Sequence, residues 1–134
     1  MDISSFDDLL SAALQQAQPQ RLLFVFAGVE LTDDSTPEQR EQFRAGRGGA
    51  FIPLMSVNKR PGEILSFSQL EEESRQFGHE WVMVFVAGLS GRNGIAPTAD
   101  EARKPLERMV ESIKAGTLGA FIPFDRMGYP AKFS

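Results

Sequence analysis

The sequence contains no cysteine and only one histidine, His79. The first absence excludes disulfides, thiolate zinc sites, iron–sulfur clusters and cysteine nucleophiles. The second excludes any site that draws two or three histidine ligands from one chain. Long apolar runs are also missing. The two longest, residues 22–29 and 81–89, fall well short of the roughly 20 residues that cross a bilayer as a helix. The start Met1-Asp2-Ile3-Ser4 has neither the basic segment nor the apolar stretch of a secretory signal. Basic residues are outnumbered, 14 Lys and Arg against 18 Asp and Glu, for a net charge of −4. That balance opposes a nucleic-acid binder held by phosphate contacts. These absences describe a soluble, cytoplasmic protein with neither nucleic acid nor membrane as its partner, in a compartment where disulfides are not needed.

What is present is enough for a core. The chain has 134 residues, 42% apolar and 24% charged, which suits a single domain over 1–134. It also repeats itself. Residues 44–53 read RAGRGGAFIP and residues 114–123 read KAGTLGAFIP, with Gly-Ala-Phe-Ile-Pro unbroken in both. By average residue usage, a matching pentamer arises by chance in about one chain of this length in a hundred. Flanking matches keep the same order. Ser5-Phe6 and Leu9 match Ser66-Phe67 and Leu70, and the apolar runs ending Ala27-Gly28 and Ala87-Gly88 match each other. The pattern predicts an internal duplication, about 5–65 and 66–133.

Each copy has the same coarse plan. Phe6, Leu9, Leu10, Ala13, Leu14 and Ala17 keep helical spacing behind the N-cap Ser5. Ser66 and Gln69 form a capping-box pattern, Leu65 and Leu70 are spaced as a hydrophobic staple, and Gly78 suits a helix stop. Residues 22–27 and 82–87 read as strands covered on both faces. Pro37 and Pro105 suit the first position of a further helix, with Gly46 and Gly116 at the ends. The repeated pentamer then reads as a strand whose proline favours an end or an edge. Asp125-Arg126-Met127-Gly128 suits a turn closing a C-terminal hairpin. The order helix–strand–helix–strand, twice, predicts an α/β fold: two tandem repeats sharing one mixed, largely parallel sheet.

Several stretches are similar to a known group. Residues 4–9 (Ser-Ser-Phe-Asp-Asp-Leu), 21–28, 48–54, 72–78 (Glu-Glu-Ser-Arg-Gln-Phe-Gly) and 119–126 resemble small proteobacterial proteins commonly labelled ribonucleotide reductase subunit alpha. The resemblance covers nearly the whole chain. The label itself names an enzyme several times longer, whose radical chemistry runs through catalytic cysteines. This chain has none and matches none of that enzyme's motifs, so we read the label as a misannotation of the group. The resemblance therefore implies no reductase activity and no site.

Ligands of open α/β sheets bind beyond the carboxyl ends of strands. The loop 88–94 offers glycine amides, the Ser90 hydroxyl, the Asn93 amide and the Arg92 guanidinium. Converging N–H groups of Gly91 and Gly94 beside Arg92 suit a carboxylate or phosphate, with Lys59, Arg60 and Arg126 as further charge. Ser90, Gly91, Arg92, Asn93, Gly94 and Arg126 are thus the candidate ligand residues. Glycine-rich loops also serve as plain turns, and neither a dinucleotide fingerprint nor a phosphate loop is present. Glu30, Asp33 and Asp34 offer carboxylates but match no calcium loop, and they suit a helix start equally well. His79 falls at the opposite end of its strand from Ser90, which opposes a Ser–His pair. Glu71-Glu72-Glu73 reads as a solvated helix face. No catalytic residue, metal or cofactor is implied. The reading is an interaction or regulatory domain that takes a protein partner or a second copy, with a small anionic ligand at 88–94 as the alternative.

Overall fold

Local signals place most of the elements. In this computed structural model, which describes residues 5–30, 37, 50–64, 66–76, 78 and 81–131, Ser5 caps the first helix. Its Oγ accepts from the Asp8 N–H at 3.2 Å. That helix, α1, runs Phe6–Leu14, and β1 follows at Gln20–Glu30. β2 is Ala50–Lys59, and a single 3₁₀ turn occupies Pro61–Glu63. Ser66 Oγ accepts from the Gln69 N–H at 3.2 Å and starts α2, Phe67–Arg75. Gly78, at φ +74°, turns the chain away from α2. β3 is Met83–Ser90, α3 is Ala99–Lys114 and β4 is Ile122–Asp125. Pro37 is helical and exposed; Gly46 and the rest of that expected helix lie outside the described residues, as does Leu65 of the expected staple.

The four strands form one sheet in the order β2-β1-β3-β4, and each neighbouring pair is antiparallel. This corrects the expected mixed, largely parallel sheet of two tandem helix–strand–helix–strand repeats. The physical reason lies in α3. It leaves the end of β3 and packs mainly over β1 and β2, with Phe85 of β3 in the same cluster. The chain therefore comes back beside β3 running the other way. A second correction concerns Pro105. It sits inside α3, not at its start. The helix begins earlier because Thr98 and Glu101 form a reciprocal capping box, with Thr98 Oγ1 accepting at 3.1 Å and Glu101 Oε1 at 3.0 Å. Gly116, at φ +78°, follows the end of α3 as expected.

The sheet is buried on both faces. Leu22, Phe24, Phe26, Val84, Val86 and Phe124 meet Phe6, Leu9 and Leu10 of α1, Phe67 and Leu70 of α2, and Trp81. Leu23, Val25, Ala27 and Phe85 meet Ala102, Leu106, Met109 and Ile113 of α3. Two-sided cover explains the unbroken apolar runs of β1 and β3. The Trp81 indole is fully buried, and its N–H donates to Ser74 Oγ at 2.7 Å.

The repeated Phe-Ile-Pro segments open the two edge strands. Gly91 N–H donates to Pro19 O at 2.8 Å, so odd-numbered residues of β1 turn their backbone groups toward β3. Ala27 is one of these, and Pro53 is its partner across the β1–β2 pair. Pro53 therefore faces outward, where no ladder donor is needed. Pro123 O accepts the Ala131 N–H at 2.9 Å, so Pro123 also faces away from β3. The chain after β4 folds back as the expected hairpin. Asp125 Oδ1 accepts from Met127 N–H at 2.8 Å and Tyr129 N–H at 3.1 Å.

Candidate functional site

The stretch 88–94 divides into two parts. Gly88, Leu89 and Ser90 complete β3. The rest is a tight hairpin, in which Arg92 N–H donates to Ile95 O at 3.0 Å and Ile95 N–H returns to Arg92 O at 2.9 Å. Asn93 and Gly94 have φ of +54° and +77°, the pair of positive values that a type I′ turn requires. Gly94 N–H donates to Gln18 Oε1 at 2.8 Å, and Gln20 Nε2 donates to Ser90 Oγ at 3.0 Å. Arg21 holds the chain that follows, with Nε on Pro97 O at 2.7 Å and Nη1 on Asn58 Oδ1 at 2.6 Å.

These bonds change the chemistry expected of the loop. The N–H groups of Gly91, Arg92, Gly94 and Ile95 all donate within the molecule, so they do not converge on a ligand. The Arg92 side chain is exposed, and no partner takes its guanidinium among the described residues. It stands near Glu101, whose carboxyl lies below the usual range. The Thr98 backbone N–H is the main cause, then the Thr98 hydroxyl, with Arg92 contributing through space. Ser90, Arg92, Asn93, Pro97 and Glu101 line a depression of about 470 Å³.

Arg126 is not part of this site. It follows β4 near Met83, whereas Ser90 ends β3 about 23 Å away at the strand rise of roughly 3.3 Å per residue. Its Nη2 donates to Glu71 Oε1 at 2.9 Å, and its guanidinium lies 5.1 Å over the Trp81 ring. Lys59 pairs with Glu73 and Arg60 with Glu63. The acidic run of α2 is thus largely structural: Glu71 and Glu73 tie other elements down, and Glu72 is exposed. The Glu71 carboxyl is held below the usual range, first by Arg75 and then by Arg126, against a burial effect that raises it. The Glu30 backbone closes β1 opposite Ala50. The Glu30 side chain, Asp33, Asp34 and His79 lie outside the described residues. Among the described residues, no group of three or more His, Asp or Glu side chains is placed to hold a metal ion.

Other features gather at this end of the sheet. β4 pairs only with Met83, Val84, Phe85 and Val86, so among the described residues β3 runs past it as an open edge. Beside that edge lies a notch of about 180 Å³, bounded by Leu9, Ala13, Leu22, Gly88 and Ile122. On the other flank of the hairpin, a cleft of about 670 Å³ lies between the end of α1 and the turn at Pro61–Glu63. Leu14 is 61% exposed and Ile95 71% exposed. Gln18, Gln20 and Arg21, which position all of this, carry no motif. The Asn93-Gly94 dipeptide was the readable signal for the hairpin. No helix among the described residues is long and apolar enough to cross a membrane. No family model, curated protein or solved structure matches the chain.

Proposed function

We propose that the protein is a non-enzymatic interaction domain, working in the cytoplasm, that captures another polypeptide at the end of the sheet bearing the 92–95 hairpin. The observation that carries this reading is the open outer edge of β3 beyond β4, flanked by clefts and by the exposed side chains of Leu14 and Ile95. Unpaired strand edges and exposed apolar side chains rimmed by polar groups are what partner chains engage. The charged side chains nearby, Arg92 apart, serve caps and clamps.

The second reading, a small-anion site, draws on the unpartnered Arg92 guanidinium. Glu101 in the same depression and the internally bonded amides weaken it. Native mass spectrometry of protein purified gently from its own cytoplasm separates the two. A retained polypeptide, with amide-exchange protection in the complex falling on 87–96, supports the interaction domain. A retained small-molecule mass that Arg92→Ala abolishes supports the anion site instead.

A further inference from the structure

We infer that the partner binds as an extended peptide that adds a strand to β3 beyond β4 and places a carboxylate against Arg92. This rests on the interaction-domain reading and specifies its ligand. The backbone geometry leads to it. Gly91 N–H faces β1, so alternate residues Gly88 and Ser90 turn their N–H and C=O groups to the outer side. Both residues are exposed, and among the described residues nothing beyond the β1 ladder engages their backbone. An added strand has these four groups to bond, the usual source of affinity in strand addition.

The surroundings fit such an occupant. The notch beside Gly88 begins at Ile122, the first residue of β4. It opens under α1 over Leu22 and Gly88, next to the lane a longer β4 would take. Gly88 contributes no side chain to it, so an aliphatic side chain of the added strand has room there. Neighbouring side chains of an added strand point to opposite faces, and the other face carries Leu89, Pro97 and Arg92. Arg92 is exposed here with no hydrogen-bond partner among the described residues, and the Glu101 carboxylate beside it is held by the Thr98 cap, so Arg92 selects a peptide with a carboxylate near the end lying beside the hairpin. A second copy of this chain pairing edge to edge is the poorer occupant. Pro53 removes an outward donor from β2, and the hairpin return at Asp125 and Ala131 covers β4. The open stretch of β3 holds no proline.

The test uses the full chain and an acetylated peptide of alternating valine and threonine ending in two glutamates. Two control peptides carry lysines at that end or N-methyl groups on the central amides. In the free protein, the Gly88 and Ser90 amides are expected to exchange fast, while Ala87 and Leu89 exchange slowly. The glutamate peptide slows Gly88 and Ser90 at least tenfold. The lysine and N-methyl peptides bind at least tenfold more weakly. Ser90→Pro, which removes the outward donor and the exposed hydroxyl that accepts from Gln20 Nε2, abolishes binding and keeps the far-UV spectrum and the slow exchange at Ala87. Arg92→Ala removes the preference for glutamate over lysine.

Slow exchange at Gly88 and Ser90 in the free chain would overturn the inference, as would undiminished binding to Ser90→Pro. If neither peptide protects the edge while the natural complex is still protected on 87–96, strand addition fails and the interaction domain stands. If that protection lies elsewhere, both fail.

Discussion

Gly91→Ala tests the packing that holds the 92–95 hairpin to the sheet. A Cβ on Gly91 would lie 2.2 Å from Ile95 O and 2.8 Å from Pro19 O, both backbone atoms. Neither can rotate aside as a side chain would. Pro19 O is also the acceptor of the Gly91 N–H, and Ile95 O the acceptor of the Arg92 N–H. Relieving the clash by moving the hairpin therefore breaks those bonds, each a net contribution of about 1 kcal/mol. Keeping the bonds and straining the backbone costs about 1–3 kcal/mol, as overpacking does. The two routes together bracket a loss of about 1–3 kcal/mol. Urea unfolding, followed by the fluorescence of the single tryptophan, gives the measurement. With a slope of about 2 kcal/mol per molar, the midpoint should fall by roughly 0.5–1.5 M. Gly62→Ala is the matched control, since nothing lies within 4 Å of its added carbon. Equal midpoints for the two variants would refute the seating of the hairpin against Pro19.

Three further outcomes are expected. Gly128→Ala should cost about 2 kcal/mol or more, because the residue sits at φ +84° with the Phe67 ring 2.9 Å from the new carbon; a thermal melt unchanged from the parent would contradict the docking of the C-terminal hairpin. Pro105→Ala should raise stability by about 1–2 kcal/mol, since it restores a helix donor toward Glu101 O; a lower melting temperature would show that the proline ring is packed to advantage. The Glu71 carboxyl titrates below its unfolded value of about 4.3, so its contribution is complete above that pH and is lost as pH falls through the lower folded value. Glu71→Gln should flatten the acid limb of the stability profile, and an unchanged limb would mean that the Arg75 and Arg126 contacts do not form in solution.

Local chemistry was the legible part of this fold. Ser5 and Ser66 announce helix starts because a hydroxyl before an apolar stripe satisfies a free N–H. The runs through Phe24 and Phe85 announce burial on both faces. The prolines of the repeated pentamer announce edges. Strand direction was not legible, because two-sided burial gives the same apolar run whichever way the neighbour points. Only the tertiary pairing of the strands decides it. The candidate site failed at the same level. Gly91 and Gly94 were read as donors to a ligand, yet their N–H groups belong to Pro19 and Gln18, residues distant in sequence. Arg126 looked available because nothing in its own neighbourhood hints at Glu71 or at the Trp81 ring. Ser90 and Arg92 do lie together at the end of β3, and the open groups there are backbone edges that no side-chain pattern displays.

The way the chain closes on itself bears on how it must be made. Phe6 N–H donates to Gly128 O at 2.8 Å, and the Phe6 ring stands edge-on to Phe124 at 5.5 Å. The first helix thus completes its core contacts only with residues near the far end of the sequence. Such a contact carries a large loop-closure cost, which slows folding relative to helical proteins of similar size. During synthesis the rings of Phe6 and Phe67 wait uncovered until the segment around Phe124 has been added. A chain cut before Ile122 would expose that aromatic surface together with an unpaired outer side of β3, so such fragments should aggregate or be held by chaperones instead of folding as smaller domains.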